Sequence, residues 1–135
     1  MTTNEARDAL YKQFLNNWAP VPAVPVVFEN EKAKKEDVPE YVYVSVKHAG
    51  GGQETMGPVG SRKFIRRGVV FVQIYGPLDG GLKRFDELGK MARDIFEAKN
   101  ISGVQTNDGE YREPIPYSGK QRAQVTVSFW YEEQK

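Results

Sequence analysis

His48 is the only histidine in the chain, and there is no cysteine. A Ser-His or Cys-His nucleophile pair must therefore use His48 or not exist. His48 stands beside Gly50, Gly51 and Gly52, and no carboxylate lies at a spacing that would orient its ring. A metal site needs clustered ligands, which one imidazole and scattered carboxylates do not supply. Asp108, Glu110 and Glu113 are close enough in sequence for an acid/base pair or a cation site, but they follow no calcium-loop pattern and read as a charged turn. The glycines of residues 50–60 suggest a phosphate cradle, yet no Gly-Lys-Ser/Thr ending follows, and the next element is a strand rather than a helix. These residues thus yield no catalytic, cofactor-binding or metal-binding assignment. The densest basic cluster is Arg62, Lys63, Arg66 and Arg67. In a strand Arg66 and Arg67 point to opposite faces. Such a cluster either guards an edge strand or meets an acidic partner or a phosphate backbone.

The composition sets the scale on which these residues are held. With 135 residues, 39% of them hydrophobic, the chain is expected to form one domain around a modest core. A net charge of +1 argues against a protein that coats nucleic acid. No apolar run approaches the roughly 20 residues that span a bilayer. Residues 1–13 are polar and charged, unlike a secretory signal, so the chain is expected to stay where it is made unless a larger assembly carries it out.

A central strand–turn–helix unit, residues 62–97, organises the rest. Val69, Val70, Phe71, Val72, Gln73, Ile74 and Tyr75 read as a buried strand. Gly76 and Pro77 end it, and Asp79 is expected to cap a helix entered through Gly80 and Gly81. Leu82, Phe85, Leu88, Ala92, Ile95 and Phe96 then recur at spacings of three and four, giving one apolar stripe. Upstream, Thr2 and Glu5 have capping-box spacing ahead of a short helix over residues 4–16, with Ala6, Ala9, Leu10, Phe14 and Leu15 as its apolar positions. Prolines 20, 22 and 25 force an extended segment, and residues 26–28 make a short strand. Residues 29–40 mix both charges without apolar period and read as a solvated loop. Residues 41–47 alternate as a strand, with Val42, Val44 and Val46 on one face. Residues 48–61 read as a long mobile loop. Past the helix, a weak strand near residues 104–106 precedes a turn at Asn107, Asp108 and Gly109. Residues 110–119, with Pro114 and Pro116, are at best an edge segment. Residues 124–131 alternate as a strand that pairs inside the sheet, and Trp130 lies on the face opposite Phe129 and Tyr131. The expected class is α+β: a mainly antiparallel sheet with one long helix packed on it and a short N-terminal helix.

In this order the residues resemble the tail terminator (tail-completion) proteins of long-tailed bacteriophages. The resemblance is carried by the first helix with Trp18, by the segment Pro22 to Asn30 with its Pro-Val-Val-Phe-Glu-Asn run, by the strand over 41–47 and by a glycine-containing loop before Arg66, Arg67 and Gly68. It continues through residues 69–77 and Asp79, Gly80 and Gly81 to the helix ending at Ile95 and Phe96, and ends on the strand over 125–129. It implies a structural virion protein that caps the tail tube as a homo-hexameric ring, ends tube polymerisation and forms the surface that joins the head. The implied partners are sister copies, the tail tube protein and a head-completion or connector protein. DNA would pass through the lumen without sequence-specific contact, and neither an enzymatic activity, a cofactor nor a membrane is involved. The implied location is the virion tail or neck, and the host cytoplasm during assembly. Neighbouring readings are a head-tail connector or another neck protein and, more remotely, a small nucleic-acid-binding module. A ring subunit is expected to offer exposed strand edges and aromatic or basic anchors. The residues expected at the ring or partner interface are Gly50, Gly51, Gly52, Arg62, Lys63, Arg66, Arg67 and Trp130.

Overall fold

The computed structural model describes residues 1–21, 23–29, 39–53 and 55–135, so most of the charged run expected as a loop lies outside the described residues. The elements in chain order are α1 (Thr3–Asn17), β1 (Val26–Phe28), β2 (Tyr41–Gln53), β3 (Lys63–Gly76), α2 (Lys83–Phe96), β4 (Asn100–Ile101), β5 (Val104–Tyr117) and β6 (Lys120–Gln134). The strands form one curled sheet in the order β1-β2-β3-β6-β5-β4. β1 joins β2 in parallel, and every other pairing is antiparallel. The last strand therefore does pair inside the sheet, between β3 and β5.

One face of the sheet makes the core. Val42, Val44 and Val46 of β2, Val70, Val72 and Ile74 of β3, and Val125, Val127 and Phe129 of β6 are essentially inaccessible. Against them α1 buries Ala6, Leu10 and Phe14, one residue per turn, and α2 buries Phe85, Leu88, Ala92, Ile95 and Phe96. Phe14 stacks on Phe96 at 5.9 Å and on Trp18 at 4.9 Å, and the Trp18 indole donates to the Val24 carbonyl at 3.2 Å. That bond holds the proline-rich segment against the core. Each buried Val, Leu, Ile or Phe side chain of this core contributes about 1.5–3 kcal/mol.

Several expectations are corrected. α1, at 15 residues, is slightly longer than α2, at 14, so the picture of one long and one short helix does not hold. The Thr2–Glu5 capping box is present, but Leu15 is 54% exposed because it falls off the Ala6–Leu10–Phe14 stripe. Asp79 does not cap α2; the cap position is Leu82, which makes no side-chain cap bond, since the turn through Gly80 and Gly81 delays the helix to Lys83. Asn107 and Asp108 form a bulge in a continuous β5, where the Gly109 amide donates to Glu97 at 2.7 Å. The hairpin turn lies instead at Ser118 and Gly119, both left-handed at φ +46° and +78°. β2 runs on through Gln53, so the stretch expected as a mobile loop is strand at its start.

Three rings lie on glycines. A Cβ on Gly68 would approach Phe129 to 2.5 Å, one on Gly76 would approach Phe85 to 2.7 Å, and one on Gly89 would approach Tyr111 to 2.3 Å. The Gly89 contact fixes α2 to β5, because the Tyr111 hydroxyl also donates to Asp86 at 3.0 Å. Burial, and then that bond, push the Tyr111 phenol well above the ordinary tyrosine range. Alanine is the better helix former by about 1 kcal/mol. Gly89→Ala is nonetheless expected to lower stability by about 1–3 kcal/mol in urea unfolding, the usual cost of overpacking; a stabilised variant would show that the ring moves aside freely.

A candidate interaction surface on the extended sheet

Beyond α2, β2, β3 and β6 continue as a three-stranded arm. Its register sets Gly51 against Arg66, Gly52 against Ile65, Arg67 against Trp130, and Lys63 against Gln134. The structure thus brings Gly50, Gly51, Gly52, Lys63, Arg66, Arg67 and Trp130 onto one arm, with Arg62 at its end, where the Arg62 carbonyl accepts from the Lys135 amide at 2.9 Å. Two of the three glycines, Gly50 and Gly51, are needed by geometry, whereas a side chain at Gly52 would meet open space. β2 bulges between Ala49 and Gly51, Gly50 and Gly51 are at φ +42° and +137°, and a Cβ on Gly51 would fall 2.2 Å from the Ile65 carbonyl oxygen.

The four basic residues do not form one patch. Arg66, on the helix side, donates through Nε and Nη2 to Glu133 at 3.0 and 2.8 Å, and its guanidinium lies 5.1 Å from the Phe64 ring centre. Arg67 projects from the opposite face and is exposed. Lys63 reaches Glu132 only at 4.0 Å with both side chains about half exposed, a pair worth little in water. On the face away from the helices, Tyr43, Ile65, Val69, Phe71 and Trp130 are all half-buried, forming a stripe of apolar and aromatic side chains across three strands.

The turn joining β2 to β3 is tied by hydrogen bonds. Thr55 donates its amide to the Lys63 carbonyl at 3.3 Å, and its hydroxyl accepts from the Lys63 amide at 2.8 Å. Its carbonyl accepts from the Gln53 side chain at 2.7 Å, and the Ser61 amide donates to the Pro58 carbonyl at 3.0 Å. On this braced turn Met56 is 96% exposed and Val59 83% exposed. The sequence reading passed over both, because apolar residues among glycines show no period. It also missed the other end of the sheet, where Tyr41 stacks on Tyr75 at 4.6 Å, with Tyr75 near Tyr117. There Lys120 lies over Tyr41 at 4.8 Å and Arg122 over Tyr117 at 4.1 Å. The only sequence signal was cross-strand register.

Among the described residues no side chain hydrogen-bonds the His48 imidazole, which meets Phe129 and Tyr131 edge-on at 5.5 and 5.7 Å. His48, Thr3, Gly50, Arg66, Arg67 and Glu133 share a shallow polar depression. Glu110 pairs with Arg112 at 3.3 Å, and among the described residues no three His, Cys, Asp or Glu are placed to hold a metal.

No family model matches the chain, and no curated protein sequence does. Sixteen chains of solved structure are similar. One of them superposes with a TM-score of 0.71 at 17% identity, over 100% of this chain and 98% of its own. At that identity the likeness establishes the shared fold.

Burial, and then the nearby Arg7 charge, lower the His48 pKa below the 6.5 of a free imidazole. On acidification the unfolded chain therefore binds the proton first. The stability due to neutral His48 is complete above about pH 6.5 and is lost as the pH falls below it. Thermal unfolding midpoints should drop between about pH 7 and pH 5, and drop less for His48→Gln; equal slopes would show that His48 is not the group responsible.

Proposed function

We propose that this chain is a structural assembly protein that caps a phage tail tube as a ring, ends tube growth and presents the tail side for joining to the head. The observation that carries this reading is the surface of the arm. A stripe of half-buried Ile65, Val69, Phe71 and Trp130 lies on a sheet face that neither helix covers, beside a braced tip displaying Met56 and Val59. Extended, rigid, partly apolar surface of this kind suits protein contact better than it suits a pocket. The resemblance to tail terminators supplies the kind of assembly, and the ring would be built of unlike surfaces meeting head to tail.

On this reading the partners are sister copies, a tail tube protein and a head-completion protein. The protein's place is the virion tail or neck, reached from the host cytoplasm during assembly. No helix of the described residues is long and apolar enough to cross a membrane. Arg67, which has no ion-pair partner among the described residues, and the weakly paired Lys63 would lie at the contact, whereas Arg66 is already held by Glu133. Lys63→Ala with Arg67→Ala is therefore expected to weaken assembly while leaving unfolding in urea within about 0.5 kcal/mol of the parent.

The deciding measurement is particle mass by light scattering, with electron microscopy of tail tubes mixed with the protein. A particle about six times the 15.3 kDa chain, or rings seen on tube ends, is expected. A chain that stays monomeric with tubes present overturns the reading.

A further inference from the structure

We infer that the outer sheet face at the β5–β6 hairpin end, around Tyr117, Arg122 and Gln124, binds single-stranded nucleic acid. This goes beyond the assembly reading and uses a surface apart from the arm. Cross-strand register sets two rows side by side there: Tyr41, Tyr75 and Arg122 in one, and Gln73, Gln124 and Arg112 in the next. Their neighbours along the strands, Val42, Ile74, Ala123 and Val125, belong to the core, so these rows face away from both helices. Tyr117 pairs with Lys120 at the turn and closes the surface.

Charge is segregated at this end. Arg112, Lys120 and Arg122 stand on it, and among the described residues paired in these rows and the next, Glu110 is the one carboxylate. Glu110 meets Arg112 at 3.3 Å with both side chains about two-thirds exposed, a weak pair that a phosphate can replace. Glu113, in the bulge of β5, lies within electrostatic reach of Tyr111 on the helix side. The chain-wide net charge of +1 therefore conceals a local surplus of cations.

Rings and amides are set among these cations. Arg122 lies over the Tyr117 ring at 4.1 Å and also donates to the Tyr75 phenol. Tyr75 in turn donates to the Gln73 side-chain carbonyl at 3.1 Å, which leaves the Gln73 amide nitrogen to donate to a ligand. These contacts hold the guanidinium plane and the 45% exposed Tyr117 ring in place. Unpaired bases stack on both kinds of plane, whatever the sequence. An acidic peptide would engage only the cations, and a duplex keeps its base faces hidden.

The test is fluorescence anisotropy of the intact chain with a labelled mixed-sequence strand of roughly 12 nucleotides, as DNA and as RNA. Binding is expected at about 50 mM salt, weakening with a log–log slope of roughly −2, the value for three phosphates on a single strand. Tyr117→Ala should weaken it about fivefold or more, with unchanged urea unfolding, and so should Arg122→Lys, which keeps the charge and loses the plane. Lys63→Ala with Arg67→Ala, on the arm, should leave it within about twofold of the parent. No binding of either strand at low salt overturns the inference. So does equal binding of duplex DNA or poly-glutamate, or parent-like binding by both the Tyr117 and Arg122 variants. A preference for RNA or for DNA supports the surface and names the strand. Particle mass on the same samples reads the ring separately, so either idea can fail alone.

Discussion

The structure depends on a mismatch of lengths. A helix rises 1.5 Å per residue and a strand about 3.3 Å. The 14 residues of α2 therefore reach about 21 Å, while the 14 residues of β3 reach about 46 Å. A helix laid along these strands covers less than half of them. Where cover ends, the strands change character. Val70, Val72 and Ile74 give way on the same face to Gly68, Arg66 and Phe64, and Val46 gives way to His48. The transition residues are those that tolerate partial burial: an imidazole lying edge-on to two rings, and a guanidinium that is both ion-paired and resting on an aromatic face. The arm is the part of the sheet that runs past α2, with only Thr3 of α1 lying beside it, and its own ladder keeps it in order.

What fixes α2 on the covered half is specific packing at both ends. Its start is set by Phe85 lying over Gly76, and its middle by Tyr111 lying over Gly89. Its end is tied to β5 by Thr106, which is buried. The Thr106 hydroxyl donates to the Phe96 carbonyl and accepts from the Lys99 amide at 2.8 Å, and Glu97 takes the Gly109 amide in the β5 bulge. Unmatched backbone groups at a helix end are costly when buried. Here the Thr106 hydroxyl takes the Phe96 carbonyl and the Gln13 side chain takes the Ile95 carbonyl, while the Glu97 carboxylate satisfies the Gly109 amide of a bulge that exists where sequence alone suggested a turn.

Much of this was legible because hydrophobic period is a local property. The alternation of Val42, Val44 and Val46, that of Val125, Val127 and Phe129, the α2 stripe and the capping box all follow from side-chain geometry within one element. The failures share a cause of the opposite kind. Gly51 looks like a loop residue until Ile65 is known to pass within touching distance. Asn107 and Asp108 look like a turn until β6 is known to continue the ladder past them. Thr55 says nothing until Lys63 returns to bond with it. Of the interface, the basic residues and Trp130 could be named from residue type. The division of the arginines into one paired and one free came only from register, which places Glu133 beside Arg66.

The flanks of the sheet bear on how copies could meet. The sequence suggested exposed strand edges, but both outer edges carry guards. β5 presents Pro114 and Pro116, which lack the amide that an added strand would need. β1 covers β2 only from Val42 to Val44. Beyond that, β2 holds Lys47, ion-paired with Glu29, and then the bulge at Ala49 and Gly51. A lysine and a bulge are the devices by which edges avoid pairing with other chains. With a net charge of only +1, long-range repulsion does little to keep copies from stacking at random. Edge guards must therefore suppress unwanted strand addition, and any ordered contact is left to side chains. At the tip of the arm Met56 and Val59 are exposed on a hydrogen-bonded turn, so a contact made there engages side chains and leaves the guarded edges unpaired.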